Sequence, residues 1–106
     1  MSLINVISFE SLGDERGALF VLEGNKNIPF DIKRVYYILG TKLGVSRGFH
    51  AHKNLKQVAI CIAGNCRFLL DNGYEKSDVI LDSATKGLLI NDLTWREMHD
   101  FSSDCV

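Results

Sequence analysis

The sequence predicts an all-β domain of short antiparallel strands, folded as a sandwich or barrel, and three observations carry that expectation. No stretch sustains apolar residues at i, i+3, i+4 and i+7 for three turns, so helical periodicity is missing. In its place stand seven short runs rich in β-branched, aromatic or leucine residues: Leu3–Phe9, Ala18–Glu23, Ile32–Leu39, Gln57–Ala63, Cys66–Asp71, Asp78–Leu81 and Leu88–Asn91. Glycines punctuate these runs, with Gly13, Gly17, Gly24, Gly40, Gly44, Gly64, Gly73 and Gly87 at or near their ends. No crossover helix is long enough to join parallel strands, so the pairing is expected to be antiparallel. A chain of 106 residues has room for one domain, and it contains no internal repeat and no linker.

Each element has a local reason. Leu3–Phe9 is apolar enough to join a neighbouring sheet. The turn at Gly13-Asp14-Glu15 leads past Arg16 into the second run. The loop GNKNIPF leads into the third, with Pro29 setting the turn. RGFHAHK, from Arg47 to Lys53, reads as a strand, and a Gly-Asn turn at Gly64-Asn65 separates the next two runs. Asp71-Asn72-Gly73 predicts a hairpin closed by a type I′ turn, because Asn-Gly supplies positive φ at both central positions. TWREMHDF ends the strand-bearing part of the chain.

Composition excludes several classes of function. Twelve basic residues against thirteen acidic ones leave a net charge of −1, with no run of like charge. That balance argues against a nucleic-acid partner and against a basic membrane-surface helix. The longest apolar run, Val58 to Ala63, has six residues, against roughly 20 needed to span a bilayer. The N-terminus has neither a basic region nor a small-residue cleavage site, and three cysteines cannot all pair with one another. The expectation is therefore a cytoplasmic protein with reduced thiols. Cys61 and Cys66 lie four residues apart in the chain, counted between them. That is not the usual close zinc spacing, and both are expected to be small core or strand residues.

All three histidines fall in RGFHAHK and TWREMHDF. In a strand, His50 and His52 share a face about 6.5–7 Å apart, because side chains alternate with period two. Two neighbouring imidazoles, titrating near neutrality, suit either metal ligation or acid–base work, whereas an exposed strand face would hold two ordinary histidines. Gly44, His50, His52, Gln57 and Gly64 follow the spacing of the first cupin motif, and His99 stands where a later histidine ligand would fall. Gln57 replaces the acidic ligand, which removes a charged group a divalent ion would use. No metal and no other cofactor is expected on that ground.

A more specific resemblance rests on ERGALFVLEGNKNIPFDIKRVYYILGTKLGVSRGFHAHKNLKQVAICIAGNCRFLLDNG followed by WREMHDFSSDCV. These segments, nearly the whole chain, resemble the WxcM-like sugar 3,4-ketoisomerases, which act on dTDP-4-keto-6-deoxyglucose in bacterial surface-glycan and antibiotic-sugar pathways. The resemblance implies a small jelly-roll cupin barrel over residues 1–106, a homodimer with exchanged strands, and catalysis without a metal. It also implies that family members continue past Val106 into a further strand and tail, so a shortened chain with impaired activity is one expectation. Moving a ketone from C4 to C3 requires removal of the C3 proton, an enediol or enediolate, and protonation at C4. His52 is expected to be the base at C3, with His50 assisting.

Donors must also face the oxygen that gains charge. Tyr36, Tyr37, Arg47 and Arg96 are the candidates, with Tyr37 favoured over Tyr36 by the resemblance. Arg96 stands where some members carry histidine, which leaves the product's stereochemistry at C4 open. Arg16, and also Arg34, could hold a diphosphate by bidentate hydrogen bonds. Trp95 could stack on thymine or on a sugar face. Gln57 and His99 complete the set of expected substrate contacts. Two other readings stand beside the enzyme: a nucleotide-sugar-binding cupin without catalysis, and a metal-dependent cupin enzyme.

Overall fold

The protein's computed structural model describes residues 3–106, and among them every regular element is a strand. The strands are β1 (Asn5–Ser8), β2 (Arg47–His50), β3 (Gln57–Ala59), β4 (Cys66–Asp71), β5 (Lys76–Leu81), β6 (Lys86–Ile90) and β7 (Trp95–His99). They form two antiparallel sheets, one ordered β1-β6-β3 and the other β2-β7-β4-β5.

Burial follows the sequence pattern most cleanly in β4, where Cys66, Phe68 and Leu70 point inward and Arg67, Leu69 and Asp71 outward. Central β6 is different, since Gly87 through Ile90 are all buried. Gly87 is required by close approach: a Cβ there would lie 2.7 Å from Val58 Cγ1 and 2.9 Å from the Phe9 ring. The core joins Phe68, Leu70, Leu81, Leu88, Ile90 and Phe101 with all three cysteines. The last residues fold back on the β3–β4 connection. There Val106 N donates to Ala63 O (3.0 Å) and Ile62 N to Val106 O (2.9 Å).

Two expected strands do not form. Ala18–Glu23 and Ile32–Leu39 run without sheet pairing, and among the described residues Asp31–Gly40 record no backbone-to-backbone hydrogen bond. Their composition suits strands, but neither run pairs with any of the edge strands β1, β2, β3 and β5. Phe20, Ile32 and Ile38 are half-buried, but much of the two runs' apolar surface is exposed: Val35 is 82% exposed, Tyr37 75% and Leu39 63%.

The β4–β5 turn also differs from expectation. Only Gly73 has positive φ (90°), and the loop runs Asn72–Glu75, closed by Asn72 N to Glu75 O at 3.2 Å. Asn72 Oδ1 accepts from the amides of Tyr74 and Glu75, so its side chain builds a longer loop in place of the two-residue type I′ turn.

Candidate active site

β2 ends in a distortion that sets the site. Gly48 (φ 92°) and Phe49 (φ 61°) both lie in the left-handed region, and the register against β7 shifts between Gly48 and His50. A Cβ on Gly48 would meet Arg96 O at 2.9 Å, so glycine is needed for the approach of β7. Phe49 is a bulky residue in that region, a conformation costing about 1–3 kcal/mol. Its ring packs edge-on against Trp95 (6.3 Å) and His99 (5.7 Å) on the outer face of the sheet. Such a bulge re-aims the residues beside it. Beside it His50, itself exposed, borders a cavity.

That cavity has a volume of about 1120 Å3 and lies between the unpaired segment around Asp31–Leu39 and strands β3, β4 and β7. His50, Gln57, Arg96, Tyr36, Tyr37 and Arg34 all line it, among many apolar side chains. His50 Nδ1 donates to the Gly48 carbonyl at 3.0 Å when the ring is neutral, which leaves Nε2 as the free acceptor. The His52 ring stands edge-on to His50, centroids 4.9 Å apart. Burial, then the charges of Arg96, His50 and Arg34, hold the His52 pKa below its ordinary value.

Arg96 is 3% exposed. Its guanidinium donates to Gln57 Oε1 and, at 3.1 Å, to Thr94 O, while Nε has no hydrogen-bond partner. Burial lowers its pKa. Gln57 in turn donates from Nε2 to Tyr36 Oη at 3.3 Å, and Arg34 lies over the Tyr36 ring at 5.0 Å. The result is a buried cation with one donor unspent, connected through an amide to a phenol. An anion on the substrate is what that arrangement can recognise.

The structure thus brings together six of the expected site residues, His50, His52, Tyr36, Tyr37, Gln57 and Arg96. Both tyrosines line the cavity, because Ile32–Leu39 is not a strand and period-two alternation does not govern it. Tyr36, not the favoured Tyr37, makes the polar contact.

The other four expected residues lie elsewhere. Arg16 is exposed and paired with Asp14 (2.5 Å). Arg47 lines a smaller cleft with Gly40 and Lys42. Trp95 and His99 occupy the outer face of β7 with Glu97, opposite the inward-facing Arg96 and Met98. The Glu97 carboxylate accepts from Trp95 Nε1 (2.8 Å) and His99 Nε2 (2.8 Å), leaving His99 Nδ1 to accept from the Ser46 hydroxyl at 2.7 Å. Those bonds, Trp95's first, pull the Glu97 pKa below the usual carboxylate value. Alternation along β7 could have separated these residues from Arg96; reading them only as neighbours in sequence could not. The Gly48-Phe49 bulge had no signal beyond the glycine itself.

Two antiparallel sheets around a histidine-bearing, largely apolar cavity define a cupin-type barrel. Residues 2–106 match the family described as FdtA: WxcM-like, C-terminal, and the chain belongs to that family. It is 55% identical over 101 residues to the TDP-4-oxo-6-deoxy-alpha-D-glucose-3,4-oxoisomerase of Aneurinibacillus thermoaerophilus, covering 95% of this chain and 73% of the relative. Among solved structures it resembles the WlaRB TDP-quinovose 3,4-ketoisomerase of Campylobacter jejuni, with TM-score 0.94 and 41% identity, over 99% of this chain and 81% of that one. It also resembles a histidine-to-asparagine mutant of the 3,4-ketoisomerase QdtA from Thermoanaerobacterium thermosaccharolyticum in complex with TDP-4-keto-6-deoxyglucose. That match has TM-score 0.92 and 40% identity, over 99% of this chain and 76% of that one.

Proposed function

We propose that this chain is a dTDP-4-keto-6-deoxyglucose 3,4-ketoisomerase of deoxysugar biosynthesis, acting in the cytoplasm. The observation that carries the reading is the His50–His52 pair beside Arg96, at the wall of a cavity large enough for a nucleotide sugar. Relatives whose names state this activity support it.

The reaction needs a base, an acid and a site for negative charge. His50 Nε2 takes the proton from C3, and the electron pair of that C–H bond forms the C3–C4 double bond while O4 gains the charge. The Arg96 guanidinium, held by Gln57 and Thr94, meets that oxygen, with the Tyr36 hydroxyl as the neighbouring donor. The O3 hydroxyl passes its proton to O4, so the charge moves to O3, and the carbonyl re-forms at C3 as a proton returns at C4. His52 assists the transfer. This exchanges the roles expected from sequence, because His50 rather than His52 lines the cavity.

A divalent ion does not suit this site. Gln57 Oε1 already accepts from a guanidinium, so a positive charge stands where a cupin metal's acidic ligand would be. The chemistry is therefore assigned to these side chains alone.

The working form is read as a homodimer with exchanged strands. Ala18–Glu23 and Ile32–Leu39 have strand composition, no sheet pairing and apolar faces in solvent. An unpaired edge of that kind is a template for another chain. The radius of gyration, 14.1 Å, exceeds the roughly 13 Å of a compact chain this long, as an arm reaching outward would make it.

Incubation with dTDP-4-keto-6-deoxyglucose tests the function: a 3-keto product supports it, and recovery of unchanged substrate from a well-folded protein that binds dTDP would make it a binding cupin.

A further inference from the structure

The three cysteines, spaced for no ordinary zinc motif, converge in space. Cys61 follows β3, Cys66 begins β4, and Cys105 lies in the terminal segment that pairs back through Ile62 and Ala63. All three are free and buried, and their sulfurs lie within 4.8 Å of one another. Cys61 and Cys105 are in S–H···S contact at 3.6 Å, and Cys61 also donates to Ala63 O at 3.1 Å. The cluster borders the large cavity, so a small solute can reach it.

We propose that Cys61, Cys66 and Cys105 form a three-sulfur receptor for a trivalent thiophilic metalloid, of which arsenite is the simplest probe. Geometry comes first. Bonds of about 2.3 Å to sulfur place three ligands roughly 3.5–4 Å apart, so the sulfurs need only small shifts to share one atom.

Charge then selects the ion. With three thiolates, a monovalent ion leaves a net charge of −2 and a divalent ion −1, and burial among apolar side chains penalises either. A trivalent centre is neutral. It is also satisfied by three ligands, with no fourth group required. Burial, followed by the hydrogen bond with Cys105, pushes the Cys61 thiol up to about 11, and burial raises Cys66 further. Binding is an exchange without redox change. Three S–H bonds break, three As–S bonds form, and the three hydroxyls of arsenous acid leave as water.

The test uses the full reduced chain with arsenite, followed by native mass spectrometry and thiol titration. The expected result is one arsenic per chain, with three thiols protected together and three hydrogens lost from the adduct mass. Cys66→Ala and Cys105→Ala should each weaken binding by more than the ~10–100-fold that follows loss of an outer-shell partner. Zinc and cadmium should bind more weakly than arsenite. Protection of only two thiols, no adduct, or tighter binding of zinc would overturn the proposal, and wild-type protein alone decides each of these if a variant fails to fold.

Discussion

The His50 and His52 rings meet edge to face with centroids 4.9 Å apart, yet they stand in different surroundings. His50 is anchored through Nδ1 to the Gly48 carbonyl and borders the cavity, while His52 is held below its ordinary pKa. One ring is oriented; the other is kept neutral.

That difference predicts an order of effects. His50→Asn removes the base and should lower turnover by about 10²–10⁴-fold, with dTDP binding and Tm nearly unchanged. His52→Asn should hurt less. Steady-state kinetics on both variants check this, and the reverse order would restore the role expected for His52 from the sequence.

The pH profile follows from the sign of the His52 shift. A pKa lowered in the folded state means that the neutral ring is favoured by folding. Its contribution to stability is present above the ordinary value of about 6.5 and is lost as pH falls through the lowered one. Tm should accordingly hold as pH falls just below 6.5 and drop only further on the acid side in the wild type, a drop that His52→Asn should lessen. An unchanged Tm-against-pH curve in His52→Asn would show that the ring's protonation is not linked to folding.

Arg96 gives a separable effect. Arg96→Gln keeps a hydrogen-bonding side chain but removes the charge and strands the Gln57 carboxamide. Loss of one donor to a developing oxyanion typically costs about 10²–10³-fold in kcat. KM should change far less, since the interaction strengthens only as O4 gains charge. A variant changed in KM alone would place Arg96 on the ground-state substrate instead.

Chelation should leave activity intact. Treatment with EDTA, then dialysis and assay, is expected to retain full turnover because Arg96 occupies the charge position at Gln57. Loss restored by one added divalent ion would contradict the assignment.

Association should be detectable by sedimentation. The exposed Val35, Tyr37 and Leu39 predict a dimer at micromolar concentration. A monomer with full activity would show that the unpaired segments close some other way.

The sequence carried much of this fold because alternation and turn chemistry are local. Cys66–Asp71 appears with the expected limits, while the run expected over Leu88–Asn91 appears shifted toward the N-terminus as Lys86–Ile90. Ile32–Leu39 was illegible for the opposite reason: strand composition states a preference, but pairing is decided by tertiary placement, and this run pairs with none of the chain's edge strands. The same limit governs the site. His-x-His spacing located the pair, whereas its orientation depends on the Gly48-Phe49 bulge and on contacts with β7. Distance in sequence also hid the cysteine cluster, since Cys105 reaches Cys61 only after the terminal segment folds back.

Proton abstraction at C3 by the histidine pair is read directly by hydrogen exchange. Wild-type protein and His50→Asn are incubated with dTDP-4-keto-6-deoxyglucose in D2O while the C3 and C4 signals are followed by NMR. The expected result is loss of the C3 proton signal together with a 3-keto product deuterated at C4, both slowed in the variant by about 10²–10⁴-fold. Isomerisation that leaves C3 unexchanged and C4 protonated from C3 itself would indicate direct hydrogen transfer, and equal rates in the two proteins would remove His50 from the reaction.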